Sequence, residues 1–290
     1  MSNSQKTIKT VRVGKVEIGG EGRPLALMAG PCVIESEDVV MKTAEKVVEL
    51  TSKYKVGYIF KSSYLKDNRS SLDKYSGPGL EKGLKILEKV KKTFQIPVLT
   101  DVHSALEAGR AAEVVDVIQV PAFLCKQTDI LLAAGMTGKV VNLKKGQFVA
   151  PEDMNSSVKK VESTGNHNIL LTERGSSFGY HNLVVDMRSL VIMGEMGYPV
   201  VFDATHSVQL PGTTKGSNSG QPQFILPLAR AAVACGLDAL FIETHPDVKN
   251  ALCDAGCMLP LQELDLFLRQ VTLIDKLVKQ ELALEKQPKE

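Results

Sequence analysis

The chain has no excess of charge of either sign. Its 35 basic and 33 acidic side chains nearly cancel, so no basic stripe argues for nucleic acid or an anionic membrane. Any anionic ligand must be gripped by a few local Lys and Arg side chains. Long apolar runs are also missing; none approaches the roughly 20 residues that a membrane span needs. The opening segment MSNSQKTIKT has no apolar stretch of the kind a signal peptide carries. The five cysteines are odd in number and lack the spacing of a disulfide framework, which points to a reduced, cytoplasmic protein. No break in composition marks a linker. With 43% apolar residues the chain can bury a sizeable core, and a single domain over 1–290 is expected.

What is present is a rhythm. Eight short runs recur: 25-LALMAGPC, 57-GYIFKSS, 97-PVLTDV, 117-VIQVPAF, 139-KVVNLKK, 168-NILLTERG, 199-PVVFDATH and 239-ALFIETH. Their apolar and β-branched residues are nearly continuous rather than alternating, as in strands buried on both faces. Helical patterns lie between them, such as 36-SEDVVMKTAEKVVEL, 80-LEKGLKILEKVKKTF and 224-FILPLARAAVACG, with a last helix over about 260–284. Ser36 is placed to cap the first of these. This alternation predicts an α/β protein, a (β/α)8 TIM barrel, with an open doubly wound sheet as the alternative. Ahead of the first barrel strand, 10-TVRVGKVEIGG alternates and is expected to form a short hairpin under the barrel.

Barrel chemistry sits at the carboxyl ends of the strands. Here those ends carry Cys32, Lys61, Asp101 with His103, Gln119, Lys144 with Lys145, Glu173 with Arg174, Asp203 with His206, and Glu243 with His245. Ordinary solvated loop starts account for one or two such ends, but poorly for all eight. Two subsets separate. Cys32, His206 and Glu243 offer sulfur, nitrogen and oxygen from strands that become neighbours when a barrel closes. That mix suits Zn, Fe or Mn rather than Ca or Mg, and 253-CDAGC could add a fourth ligand. Against this stand a plain core thiol for Cys32 and a metal-free His206–Glu243 pair. Lys61, Lys126, Lys144 and Arg174 form a cationic subset that would repel one another unless a phosphate with a carboxylate lay between them. Scattered surface lysines are the competing reading. Two loops add to the mouth: 66-KDNRSSLDKYSGPG, with Arg69 between Asn68 and Ser70, as a second phosphate grip, and 211-PGTTKGSNSGQPQ as a lid. Cys125, Cys235 and Cys257 read as structural.

The segments AGPCVIES, FKSSYLKDNRSS, TDVH, IQVPAFLCKQTD, VNLKKGQF, LTERGSSFGYHNLVVDMRSL, FDATHSVQLPG and FIETHPD together resemble the 3-deoxy-D-manno-octulosonate 8-phosphate synthase family. The resemblance implies condensation of phosphoenolpyruvate with D-arabinose 5-phosphate. It assigns Lys144, Arg174 and Lys126 to the phosphoenolpyruvate phosphate, Lys61 to its carboxylate and Gln119 to the same subsite. Asn68, Arg69 and Ser70 would hold the sugar phosphate. Cys32, with His206, Glu243 and Asp254, matches the metal-dependent branch, whose counterpart has asparagine in place of the cysteine. Asp101 and His103 are candidates for proton handling, and Lys61, Lys144 and His206 complete the catalytic set. The resemblance also implies a homotetramer with shared sites. Two departures stand out: Asp67 where the family often has alanine, and Lys126 where it often has arginine. The rival readings are a DAHP synthase using erythrose 4-phosphate, which usually carries a K-P-R-T-like loop, and a non-catalytic barrel that binds sugar phosphate.

Overall fold

The computed structural model describes residues 7–68, 75–212 and 220–282. The chain opens with an antiparallel hairpin of β1 (Val11–Val13) and β2 (Val16–Ile18), with Val11 opposite Ile18. Eight parallel strands follow: β3 (Ala26–Gly30), β4 (Gly57–Lys61), β5 (Val98–Asp101), β6 (Val117–Val120), β7 (Val140–Lys144) and β8 (Ile169–Glu173), then, after a small ribbon of β9 (Ser176–Ser177) and β10 (Leu183–Val184), β11 (Val200–Asp203) and β12 (Ala239–His245). A stub, β13 (Leu259–Pro260), extends the sheet beside the end of β12. β12 pairs with β3 from Ala239 opposite Ala26 to Glu243 opposite Gly30. That pairing closes the barrel and excludes the open sheet. Every residue of these eight strands is buried except the partly exposed Gly57, which is why the runs read as continuous rather than alternating.

Helices form the outer layer: α1 (Glu37–Tyr54), α2 (Leu80–Phe94), α3 (Ala105–Ala112), α4 (Thr128–Met136), α5 (Met154–Glu162), α6 (Arg188–Gly194), α7 (Ile225–Ala234) and α8 (Leu264–Lys276). Ser36 caps α1, its hydroxyl accepting from the Val39 N–H at 3.2 Å. Val40, Ala44, Val47 and Leu50 recur on the buried face of α1. The last helix starts at Leu264 rather than at 260, because Leu259 and Pro260 are drawn into β13 and residues 261–263 form a tight 3-10 turn. Beyond Lys276 it widens into a π turn over Leu277–Glu281. Among the described residues no helix is long and apolar enough to cross a membrane.

The core has two parts. The outward faces of the strands, such as Leu27, Phe60 and Val141, pack against the helices. The inward residues Met28, Ile59, Leu99, Val117, Leu170 and Phe241 form a separate cluster with Val11, Val13, Val16 and Ile18. The hairpin thus stoppers the amino-terminal end of the barrel. Its four apolar side chains are buried there, each contributing roughly 1.5–3 kcal/mol. The other mouth is left to the polar ends of the strands.

Candidate active site at the carboxyl ends of the strands

A cavity of about 480 Å³ opens at that mouth, and Lys61, Asp101, His103, Gln119, Lys144, Arg174, His206, Asn68 and Asp254 line it. The approach of the first two barrel strands depends on Gly30. A β-carbon there would lie 2.0 Å from the Lys61 carbonyl oxygen, so only glycine lets the chain turn at Pro31 and place Cys32 beneath the mouth.

Lys61 is 1% exposed and its ammonium holds Glu243 Oε1 and the Cys32 carbonyl. Lys66 lies 3.7 Å from the same Glu243 oxygen. Burial pushes the Glu243 carboxyl up, but the charges of His206, Lys61 and Lys66 outweigh it and bring its pKa down to about 2. Glu243 Oε2 is buried without a hydrogen-bond partner among the described residues, 3.5 Å from His206 Nε2. Asp254 Oδ2 stands 3.8 Å from the same nitrogen and accepts from the Cys32 thiol at 3.2 Å. Asp203 orients the His206 ring, its Oδ2 lying 2.7 Å from Nδ1 while its Oδ1 accepts the Thr205 and His206 N–H groups. The other ring nitrogen therefore faces the carboxylates.

Two overlapping groups of side chains, sharing Asp254, could hold a metal ion. His206, Glu243 and Asp254 place donor atoms within 4.8 Å of one another, and so do Cys32, Cys253 and Asp254. An orphaned carboxylate oxygen, a ring fixed by a carboxylate on its far side and a second ionised carboxylate are the features of a metal pocket with its supporting shell. Burial, and then the neighbouring Cys253, push the Cys32 thiol well up; a bound cation reverses that preference. Asp254 takes a left-handed backbone, φ 48°, an uncommon conformation for a residue with a β-carbon.

The cationic subset is only partly assembled. Lys144 pairs with Asp203 and sits 3.4 Å from His206 Nδ1. Burial, with Lys61 nearby, lowers its pKa despite Asp203. Arg174 is buried, one terminal nitrogen donating to Gln209 Oε1 at 2.7 Å and the other unpaired among the described residues. Lys126 does not join them. It is exposed, outside the cavity lining, and its carbonyl accepts from Lys160. Lys145 is fully buried and turned outward, donating to the carbonyls of Gly146 and Val149 and to Ser176 Oγ. Glu173 Oε1 holds the turn through the N–H groups of Arg174 and Gly175.

On the opposite wall His103 Nε2 lies 3.2 Å from Asp101 Oδ2. Burial pushes the His103 pKa down, but the Asp101 hydrogen bond together with the charges of Asp101 and Glu107 outweighs it and the net shift is upward. Glu107 Oε2 accepts from both the His103 backbone N–H and the Tyr64 hydroxyl, each at 2.7 Å. Gln119 accepts from Asn142 at 3.1 Å. Arg69 and Ser70 lie outside the described residues, as do 213–219 of the lid segment. Sequence reasoning passed over Lys66, Gln209 and Glu107. Lys66 was legible only as the first residue of the 66-KDNRSSLDKYSGPG loop, yet its charge turns to Glu243.

The DAHP synthetase I family model matches residues 4–280. The chain is 55% identical over 270 residues to the 2-dehydro-3-deoxyphosphooctonate aldolase of Syntrophotalea carbinolica, covering 93% of this chain and 97% of the relative. It is 54% identical over 272 residues to the protein of that name from Geotalea uraniireducens, covering 94% and 100%. A third, from Cyanothece sp., is 56% identical over 255 residues, covering 88% and 93%. Family model, near full-length relatives and a closed barrel with its polar groups at one mouth agree: the chain belongs to the DAHP synthetase I family, among the 2-dehydro-3-deoxyphosphooctonate aldolases.

Proposed function

We propose that the chain condenses phosphoenolpyruvate with D-arabinose 5-phosphate and water, giving 3-deoxy-D-manno-octulosonate 8-phosphate and inorganic phosphate. One observation carries this reading. One cavity is lined both by the buried cations Lys61, Lys144 and Arg174 and by the sulfur, nitrogen and oxygen donors of Cys253, His206 and Asp254, which suits an anionic phosphate ester meeting an aldehyde.

In this assignment Arg174 and Lys144 take the phosphoenolpyruvate phosphate, Lys61 its carboxylate, and Gln119 lines the same subsite. Lys126 serves as an outer cation on the turn after β6. Asn68, with Arg69 and Ser70, holds the sugar phosphate. C3 of phosphoenolpyruvate forms a bond to the aldehyde carbon, water adds at C2, and the C–O bond to phosphate breaks in the resulting hemiketal phosphate. His103, held by Asp101, takes or returns the proton of that water. His206 keeps its Nε2 toward the aldehyde side because Asp203 fixes the ring. A divalent Zn, Fe or Mn ion held by Cys32, His206, Glu243 and Asp254 would supply Lewis acidity toward the aldehyde or the water. The family resemblance further supports a cytoplasmic homotetramer with shared sites, acting in lipopolysaccharide biosynthesis.

Phosphate release from phosphoenolpyruvate tests the reading. Release with arabinose 5-phosphate is expected. Release only with erythrose 4-phosphate would make this a DAHP synthase, and release with neither would leave a binding barrel.

A further inference from the structure

Of the four proposed metal ligands only Glu243 sits on a strand; His206 lies in the 3-10 turn just after β11, and Cys32 and Asp254 sit on loops. Cys32 follows β3 directly, whereas Asp254 comes at the end of a long excursion after β12. That excursion is gripped at two points by a pair of side chains that the chemistry above does not use. The Asp247 N–H donates to His245 Nδ1 at 3.0 Å, and the Leu252 N–H donates to Glu35 Oε1 at 2.8 Å. The two gripping side chains face each other, with His245 Nε2 3.4 Å from Glu35 Oε2. Because Nδ1 accepts, the neutral ring carries its proton on Nε2, the atom turned to Glu35. His245 is 3% exposed. Glu35 is anchored in turn, as the Tyr75 hydroxyl donates to the carbonyl of Ile34 at 2.9 Å.

Geometry gives this pair a task. Asp254 must arrive with a left-handed backbone and bring one oxygen near both Cys32 Sγ and His206 Nε2. Glu35 lies three residues from Cys32 in the chain and binds the backbone two residues before Asp254. It therefore couples the two ligand-bearing loops through one side chain. The small apolar cluster of Cys32, Ala251 and Met258 beside it is non-directional and fixes no angle.

We propose that Glu35, with His245 as its partner, is a positioning residue for the metal donor set, locking the Asp254 loop onto the Cys32 loop. The proposal rests on the metal reading above. Its test uses metal-free full-length enzyme titrated with Co²⁺, following the thiolate-to-cobalt absorption band and competition with a chelating dye. Glu35→Ala is expected to weaken Co²⁺ binding roughly 10–100-fold and to diminish the thiolate band, while the melting temperature of the metal-free protein moves little. Glu35→Gln keeps an acceptor for the Leu252 N–H and should recover part of the affinity. His245→Asn keeps an acceptor near the Nδ1 position and should fall between wild type and Glu35→Ala. Wild-type affinity and band intensity in Glu35→Ala would overturn the proposal. So would a lowered melting temperature with unchanged Co²⁺ affinity, which marks an ordinary loop anchor. If Glu35→Ala fails to fold, Glu35→Gln decides, because its neutral amide removes the charge that faces His245: affinity and band equal to wild type overturn the proposal. Wild-type protein that takes up no Co²⁺ would sink the metal reading, and the proposal with it.

Discussion

The Lys61 ammonium takes one oxygen of the Glu243 carboxylate and leaves the other facing His206 at 3.5 Å. Both partners are sealed from solvent, at 1% and 0% exposed. Lys61→Met would strand a buried carboxylate, and breaking such a pair costs about 3–5 kcal/mol. The variant should unfold at markedly lower urea concentration and show no turnover. An unchanged urea midpoint would mean that Glu243 finds its compensation elsewhere.

Cys32 gives the sharpest chemical prediction. A chelator should abolish activity, and Zn, Mn or Co should restore it. Cys32→Ala should keep the fold and lose metal, because three remaining donors without the thiolate bind weakly. Cys32→Asn places the metal-independent branch's residue here; it should lose most metal affinity while retaining some activity that a chelator does not touch. Metal content by mass spectrometry beside chelated rates decides. Full occupancy in Cys32→Ala would return Cys32 to the role of a core thiol.

The division of the cations predicts a split in KM. Arg174→Ala should raise the KM for phosphoenolpyruvate and leave that for arabinose 5-phosphate nearly unchanged. Arg69→Ala should do the reverse. Each removes a charge-assisted contact worth roughly 1.5–3 kcal/mol. Calorimetry showing intact phosphoenolpyruvate affinity in Arg174→Ala would contradict the assignment.

Away from the mouth, Asp238 gives a pH signature. Its carboxylate accepts from the Val200 N–H at 2.8 Å, and burial raises its pKa from 3.8 to about 6. A folded pKa above the unfolded one means that the folded state favours the proton. Its contribution is complete below about pH 4 and is lost as pH rises through about 6. A displacement of that size corresponds to about 3 kcal/mol. Asp238→Asn keeps the acceptor without the charge. Its stability advantage over wild type should grow as pH rises from about 4 through about 6, read from urea midpoints. An advantage independent of pH would rule the buried charge out.

The barrel was legible in the sequence because parallel strands buried on both faces leave unbroken apolar runs, and all eight runs became barrel strands. The hairpin was legible through its alternation. Side-chain direction was not. Lys144 and Lys145 are adjacent in the chain, yet the first lines the cavity while the second is turned outward under the loops, since successive strand residues point to opposite faces. Lys126 shares the positive charge of Lys61, but it follows a 3-10 turn that leaves it exposed. Lys66 reaches Glu243 across the barrel mouth, a meeting of residues 177 positions apart that no local pattern encodes.

The stoppered lower end of the barrel has a consequence for traffic. With Val11, Val13, Val16 and Ile18 seated among the inward side chains of the strands, the described residues close the barrel below and leave its chamber open at the other mouth. Whatever enters first rests deepest, and whatever enters second blocks its retreat. A condensation run in such a chamber acquires a queue from shape alone. On the assignment proposed above, the partner seated against Lys144 and Arg174 would precede the one held by the rim, a binding order that product-inhibition kinetics would read.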